Sequence, residues 1–131
     1  MMHGPSDLND AFVRSLPDDG PVVMVNLVRL RERASDGNGS GWDAYRRYSQ
    51  AVMPVIKGVG ASVLWGGHVE GPSVGDLGDG RWDWVVLVHY PSRAAFLAMM
   101  TSQEYAEANV ERESGAEDHV ILSANEAFSR F

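Results

Sequence analysis

The chain has 131 residues, a formal charge of −7 and no cysteine. This length suits one domain that can bury a core without disulfides or a structural metal, and the lack of cysteine excludes thiol nucleophiles and iron–sulfur ligation. The negative charge repels phosphate backbones and argues against nucleic-acid binding. The first residues lack a secretion signal, and no segment approaches the roughly 20 apolar residues of a membrane span, so we expect a cytoplasmic protein without membrane contact.

The N-terminal region predicts a helix followed by a buried strand. Residues 6–16 carry apolar side chains at helical spacing, which favours a short amphipathic helix. We therefore expect residues 1–20 to form a helical extension and residues 21–131 to form one domain. Val22–Leu30 is an almost continuous apolar run interrupted by Asn26. Such a run is typical of a strand that is covered on both faces.

The remaining elements follow from capping and periodicity. Ser40 and Asp43 have the spacing of a helical capping box, and an apolar helical face follows them. Residues 82–90 alternate in a two-residue period that indicates a strand. In chain order, we predict strands at 22–30, 61–70, 82–90 and 119–124, and helical stretches at about 42–57 and 92–112.

This β-α-β-β-α-β order predicts an α+β, ferredoxin-like fold with an antiparallel sheet and helices on one face. Two helices can cover only one face of a four-stranded sheet. Because the strands are apolar on both faces, the second face needs another cover, and a second copy of the chain is the simplest one. We therefore predict a homodimer.

Residues 20–124 also carry a set of short motifs that resemble those of one bacterial family. The motifs are Asn26-Leu27, Tyr45 and Tyr48 in AYRRY, Pro54, Gly66-Gly67, Tyr90-Pro91-Ser92-Arg93 with Ala94-Ala95-Phe96, and Ser102-Gln103-Glu104-Tyr105. Together they resemble the uncharacterised domain of unknown function 1330, within the dimeric αβ-barrel superfamily. The resemblance implies a dimer of ferredoxin-like units with helices outside a barrel. The wider superfamily includes cofactor-free monooxygenases, isomerases, haem enzymes and stress proteins without known catalysis.

Two residues are candidates for catalysis. His89 lies near the carboxyl end of the third predicted strand and Asn26 near the same end of the first. We treat these strands as parallel neighbours and expect the two side chains to lie close together. His89 could then act as a general base while Asn26 orients an oxyanion. The alternative is that His89 is a half-buried strand residue hydrogen-bonded to a neighbouring carbonyl.

Three further residues are candidates for ligand binding. Tyr45 and Tyr48 fall on or beside the buried face of the first long helix, where a phenol could protonate or orient an oxygen-rich aromatic ligand. They could equally be packing residues. His68 follows Gly66-Gly67 at a strand end, where ligand contacts gather, although an exposed histidine there need not have a role.

Asp83 and Arg112 complete the candidate ligand-binding set. Asp83 lies between two tryptophans in an apolar strand, so its burial requires a cationic partner. The candidate partners are Arg81, Arg93 and Arg112. Arg112 could also line a polar site with Glu113, Glu117 and Asp118, or this group could be a solvated rim.

The sequence lacks HExxH, paired histidines, a P-loop, a complete dinucleotide-binding fingerprint and an EF-hand pattern. We expect no metal and no cofactor. The first functional hypothesis is a small-molecule binding protein or cofactor-free enzyme that acts on an enolisable or polyphenolic ligand. The alternative is a non-catalytic dimeric domain for stress response or protein association. A preformed cavity of a few hundred cubic ångströms would favour the first hypothesis.

Overall fold

The computed structural model describes residues 4–130, so residues 1–3 of the predicted N-terminal extension and residue 131 lie outside it. The elements are α1 (Asp10–Ser15), β1 (Val22–Leu30), α2 (Gly41–Gly58), β2 (Ser62–His68), β3 (Trp84–Tyr90), α3 (Arg93–Met100), α4 (Gln103–Gly115) and β4 (Ala116–Ala124). Within this range, no helix is long and apolar enough to cross a membrane.

The strands form one antiparallel sheet in the order β2-β3-β1-β4. The predicted α+β, ferredoxin-like architecture is confirmed. β1 pairs with β3 on one side and with β4 on the other, so that Asn26 lies opposite both Val86 and Ile121. Since β1 and β3 run antiparallel, the expectation that they are parallel neighbours is wrong. The crossover through α2 makes β1 parallel to β2, but β3 lies between these two strands and runs antiparallel to both.

The second predicted helical stretch consists of two helices. α3 ends at Met100, and α4 begins at Gln103. The Ser102 hydroxyl accepts a hydrogen bond from the Tyr105 backbone N–H at 3.1 Å, which caps α4. The chain therefore changes direction between the two helices, and this change brings α4 beside α2.

Close packing between α2 and α4 depends on glycine. A Cβ atom on Gly115 would lie 2.5 Å from the Gly41 carbonyl oxygen and 2.8 Å from the Tyr45 nitrogen. Any larger residue at Gly115 would separate the two helices. The capping box predicted at the start of α2 is present, because Ser40 and Asp43 exchange hydrogen bonds of 2.9 and 3.0 Å. Cap and glycine contact together position the tyrosine-bearing face of α2.

The two faces of the sheet have different surroundings. Alternate residues of β1, including Met24, Asn26 and Val28, are buried beneath the helices. The residues between them lie on the other face, which no helix within residues 4–130 covers. This outer face consists mainly of Val23, Val25, Leu27, Val85, Leu87, Val120 and Leu122. The fold therefore leaves one broad apolar surface at the back of the sheet.

The segment from residue 4 to residue 20 is attached to the body by two carboxylates. Its helix begins at Asp10, later than the apolar spacing predicted, and no side chain caps it. The Asp18 carboxylate accepts hydrogen bonds from the Arg93 and Ala94 N–H groups at the start of α3. Asp7 pairs with Arg112 of α4 at 2.9 Å. Both contacts compensate groups that the helices leave unpaired.

We predict that Asp7→Ala lowers the free energy of unfolding by about 1–3 kcal/mol, because the variant leaves a buried guanidinium without its anion. The Arg112 side chain is 7% exposed, although that of Asp7 is 58% exposed. Urea denaturation of the purified variants would measure the change. Asp10→Ala is the matched control: the pair between Asp10 and Arg14 is solvent-exposed, so we expect less than about 0.5 kcal/mol. Equal losses in the two variants would contradict the prediction.

Candidate functional site

A cavity of about 470 Å³ lies between α2 and the inner face of the sheet. Its mouth is bordered by Val63 of β2 and Met53 of α2, which are 40% and 38% exposed. Its walls are almost entirely apolar and include several aromatic rings. The lining residues are Met24, Asn26, Tyr45, Tyr48, Ser49, Gln50, Val52, Met53, Ile56, Val63, Gly66, Trp84, Val86, Val88, Tyr90, Phe96, Met99, Met100 and Ile121.

Asn26 is the buried amide in the floor of the cavity. Its Nδ2 atom lies 3.2 Å from the Met24 carbonyl oxygen and 3.3 Å from that of Val86. Carbonyl oxygens only accept hydrogen bonds, so Nδ2 must be the atom that faces them. The Asn26 Oδ1 atom then faces His119 Nε2 at 2.9 Å. Consequently Nε2 carries the proton of the neutral ring and donates a hydrogen bond to Asn26 Oδ1.

His119 is held in its neutral form. Burial, followed by the nearby Arg112 charge, lowers the pKa of its imidazole from the ordinary 6.5 to about 3, although Asp7 acts in the opposite direction. The residue as a whole is half-buried, but its Nδ1 atom is inaccessible and has no hydrogen-bond partner within residues 4–130. His119 therefore orients Asn26 rather than serving as a proton acceptor that faces the cavity.

Four tyrosines surround the cavity and its deep end. The Tyr48 and Tyr105 hydroxyls are hydrogen-bonded at 3.1 Å, and the Tyr90 hydroxyl contacts Met99 Sδ at 3.8 Å. The Tyr45 hydroxyl has no hydrogen-bond partner within residues 4–130. Burial raises the pKa of all four phenols. They are consequently protonated at neutral pH, and each keeps an O–H that is able to donate a hydrogen bond.

Arg112 supplies the positive charge behind these tyrosines. Its Nη2 atom is paired with Asp7, whereas its buried Nε atom has no partner among residues 4–130. The charge of Arg112 opposes the rise in the pKa of Tyr45, Tyr48 and Tyr105. Arg112 does not line the cavity, but its field reaches the phenols that do.

Residues 41–125 match the family model described as Domain of unknown function (DUF1330). The chain belongs to this family. A solved structure of a protein of unknown function from Rhodopseudomonas palustris is 35% identical, with a TM-score of 0.83 over 95% of this chain and 96% of that chain. No curated protein matches the chain at a significant level.

More distant structures share the fold of this DUF1330 member. The hydroxynitrile lyase from Passiflora edulis is 20% identical, with a TM-score of 0.59 over 83% of this chain and 97% of that chain. A dimeric ferredoxin-like protein of unknown function from Thermobifida fusca is 13% identical, with a TM-score of 0.53 over 93% and 97% of the two chains. At these identities the similarity shows the fold alone.

In this DUF1330 member, three of the sequence-predicted residues meet at the cavity: Asn26, Tyr45 and Tyr48. Arg112 lies behind them, and its anionic partner is Asp7 rather than the carboxylates of residues 113–118. No grouping of three metal-binding side chains occurs within residues 4–130.

His68 and Asp83 lie elsewhere, at a separate surface pocket. The His68 ring packs against Trp42 and Trp84, with ring centroids 4.9 Å apart in each case. Asp83 accepts a hydrogen bond from the Leu30 N–H at 2.8 Å and pairs with Arg81 at 3.0 Å. The structure therefore gives Asp83 one of its expected cationic partners and a backbone contact that links the start of β3 to the end of β1.

His89 is not near Asn26, and the expected juxtaposition is wrong. In the antiparallel register His89 lies opposite Val23, whereas Asn26 lies opposite Val86. Positions 86 and 89 are an odd number of residues apart in β3, so His89 lies on the outer face of the sheet while Asn26 lies on the inner face. His89 instead borders a surface pocket that includes Asp19 and other residues near the chain's two ends.

The histidine that does reach Asn26 is His119 of β4, which the sequence reasoning treated only as the start of a strand. It lies opposite Val28, two positions along β1 from Asn26 and on the same face. A signal for it exists in the sequence. In a ferredoxin-like sheet the last strand borders the first, so an inner-facing histidine on the last strand is a candidate neighbour of Asn26.

We predict that the low pKa of His119 makes the protein less stable as the pH falls from about 6.5 toward 3. Across this window the unfolded chain, with its pKa near 6.5, binds more protons than the folded chain, so the free energy of unfolding rises with pH by at most about 1.4 kcal/mol per unit. Above about pH 6.5, His119 is neutral in both the folded and the unfolded chain, so it no longer changes the free energy of unfolding.

His119→Gln isolates this effect, since glutamine can still donate to Asn26 but does not titrate. Urea denaturation at several pH values should give a smaller slope for the variant than for the wild type, and carboxylates common to both cancel in the difference. Identical slopes, or an NMR titration that places the His119 pKa near 6.5, would show that the imidazole is not held neutral.

Proposed function

We propose that this protein binds an apolar small molecule in the cavity between α2 and the sheet. The observation that carries the proposal is the cavity itself, which has the size and the largely apolar lining of a small-molecule site. A domain that served only for packing or association would be expected to fill this space, because protein interiors are close-packed. The cavity therefore favours ligand binding over a purely structural role.

The side chains favour binding over proton abstraction. None of the lining residues among those described carries a charge or an imidazole. The buried phenols are protonated, and His119 is engaged with Asn26 through its proton. Enolisable carbonyl compounds and polyphenols fit these walls, because they combine an apolar or aromatic body with oxygens that phenols can hydrogen-bond. Such a ligand would be held and its oxygen polarised by donors from the chain.

We predict that the neutral fluorescent probe N-phenyl-1-naphthylamine binds the protein and that Val63→Trp weakens its binding at least about 10-fold. Val63 borders the mouth and is half-exposed, so the larger ring can obstruct entry without disturbing the core. Fluorescence titration would measure the dissociation constants.

Val110→Trp is the matched control, since Val110 lies on α4 outside the cavity and is 66% exposed. It should bind the probe as the wild type does. If both tryptophan variants keep wild-type affinity, the probe binds elsewhere on the protein. If the wild type shows no binding, the cavity is not a site for apolar molecules of this size.

We further propose that the outer face of the sheet joins two copies of the chain. Its support is the row of aliphatic side chains on β1, β3 and β4, which none of the helices in the described part of the chain covers. A patch of this kind on a small soluble domain usually marks an interface. The Thermobifida fusca protein, described as dimeric, has the same fold. A symmetric pair would bury the same patch on both copies.

We predict that Leu122→Glu converts the dimer to a folded monomer, because the charge would have to be buried at the interface. Leu122 is 49% exposed in the single chain, so the variant should keep the wild-type circular dichroism spectrum. Light scattering after size exclusion would report the mass, with Val110→Glu on the distant face of α4 as the control. A wild type that is monomeric at micromolar concentration would refute the proposed assembly.

A further inference from the structure

Most of the polar groups that line the cavity already have hydrogen-bond partners within the protein. The Asn26 amide is occupied on both sides, since its Nδ2 faces two carbonyls and its Oδ1 accepts from His119. The Ser49 hydroxyl donates to the Tyr45 carbonyl at 3.1 Å. The Tyr90 hydroxyl contacts a methionine sulfur. These groups have little capacity left to recognise a ligand.

Two lining groups are exceptions: the amide of Gln50, which is an exposed residue, and the hydroxyl of Tyr45, which is a buried one. Tyr45 lines the cavity and is 3% exposed, yet its hydroxyl makes no hydrogen bond within residues 4–130. The hydroxyl oxygen is not fully enclosed, so it remains able to donate a hydrogen bond to an acceptor on a ligand. Because the phenol is protonated, what it requires is an acceptor rather than a cation or a donor.

The charges around the cavity restrict the ligand in a second way. No lining residue among those described is ionised, so an ammonium or carboxylate group would lose its hydration without gaining a counter-ion at the walls. Arg112 lies behind Tyr105 and is already paired with Asp7. Its remaining field favours an electron-rich oxygen over a cation. A neutral oxygen meets both conditions.

We infer that the ligand is a neutral molecule with an apolar or aromatic body and a carbonyl-type oxygen that accepts the hydrogen bond of the Tyr45 hydroxyl. This inference rests on the proposed binding function and adds the chemical class of the ligand. The oxygen would enter ahead of the apolar body, toward Tyr45, and the body would contact the walls formed by Trp84, Val86 and Phe96.

Four probes with similar bodies test the inference: 4-phenylbutan-2-one, butylbenzene, 3-phenylpropanoate and 4-phenylbutylamine. Their affinities would be measured by displacement of N-phenyl-1-naphthylamine and by calorimetry. We expect the ketone to bind at least about 10-fold more tightly than the carboxylate or the ammonium compound, because neither ion finds a partner in the cavity.

Tyr45→Phe identifies the donor. It should weaken ketone binding roughly 3- to 10-fold, the value of one hydrogen bond, and change butylbenzene binding by less than about 2-fold. The hydrocarbon thus acts as the matched control for any change in cavity shape. The unliganded variant should unfold at about the same urea concentration as the wild type, since the hydroxyl makes no hydrogen bond within residues 4–130.

The outcomes separate this inference from the function on which it rests. Equal losses for ketone and hydrocarbon in Tyr45→Phe would overturn the role of Tyr45 while leaving the binding function intact. A carboxylate or ammonium probe that binds as tightly as the ketone would overturn the neutrality of the ligand. Failure of every probe, including N-phenyl-1-naphthylamine, to bind the wild type would overturn the binding function itself.

Discussion

The hydrogen bond between Asn26 and His119 is the contact on which the inner face of the sheet depends. Asn26 alone joins three strands, because its amide nitrogen faces carbonyls of β1 and β3 while its oxygen accepts from β4. A buried amide is stable in an apolar floor only when its donors and acceptors are paired, so this arrangement specifies the strand register there. It also leaves Asn26 as a satisfied group beneath the cavity rather than an open ligand contact.

The polar groups at the deep end of the cavity, Tyr48, Tyr105 and Arg112, are brought together by the packing of α2 against α4. α2 and α4 approach closely at Gly41 and Gly115, and this approach brings Tyr48 against Tyr105. Arg112, on the next turns of α4, is buried by the same packing and obtains its anion from Asp7 on the N-terminal segment. The segment that precedes the ferredoxin-like core therefore stabilises the charge nearest to the tyrosines. Its role is electrostatic as well as hydrophobic.

Local patterns predicted most elements because each carries its own signal: the Ser40 and Asp43 capping box, the apolar run around Asn26 and the alternation up to Tyr90. The site required information that local patterns lack. Asn26 and His119 are far apart in sequence, and their contact follows from the pairing of β1 with β4 and its register. The expectation that β1 and β3 are parallel placed His89 beside Asn26. In the antiparallel register, the two-residue period of the strands puts His89 on the outer face, away from Asn26. Predicting Tyr45 and Tyr48 required only the buried face of one helix, and the apolar periodicity of the sequence indicates that face.

The cavity and the outer face belong to the same strands, and this shared origin explains why β1 is apolar throughout. Along β1, the side chains of Met24, Asn26 and Val28 lie on the inner face, whereas those of Val25 and Leu27 lie on the outer face. A strand that is apolar on both faces does not show the alternation of polar and apolar residues found in half-exposed strands. Substitutions on the two faces therefore test the proposed ligand binding and the proposed assembly separately, because their side chains point to opposite sides of the sheet. Asn26 ties the inner face together, because it bonds to backbone carbonyls of β1 and β3 and to the His119 side chain of β4.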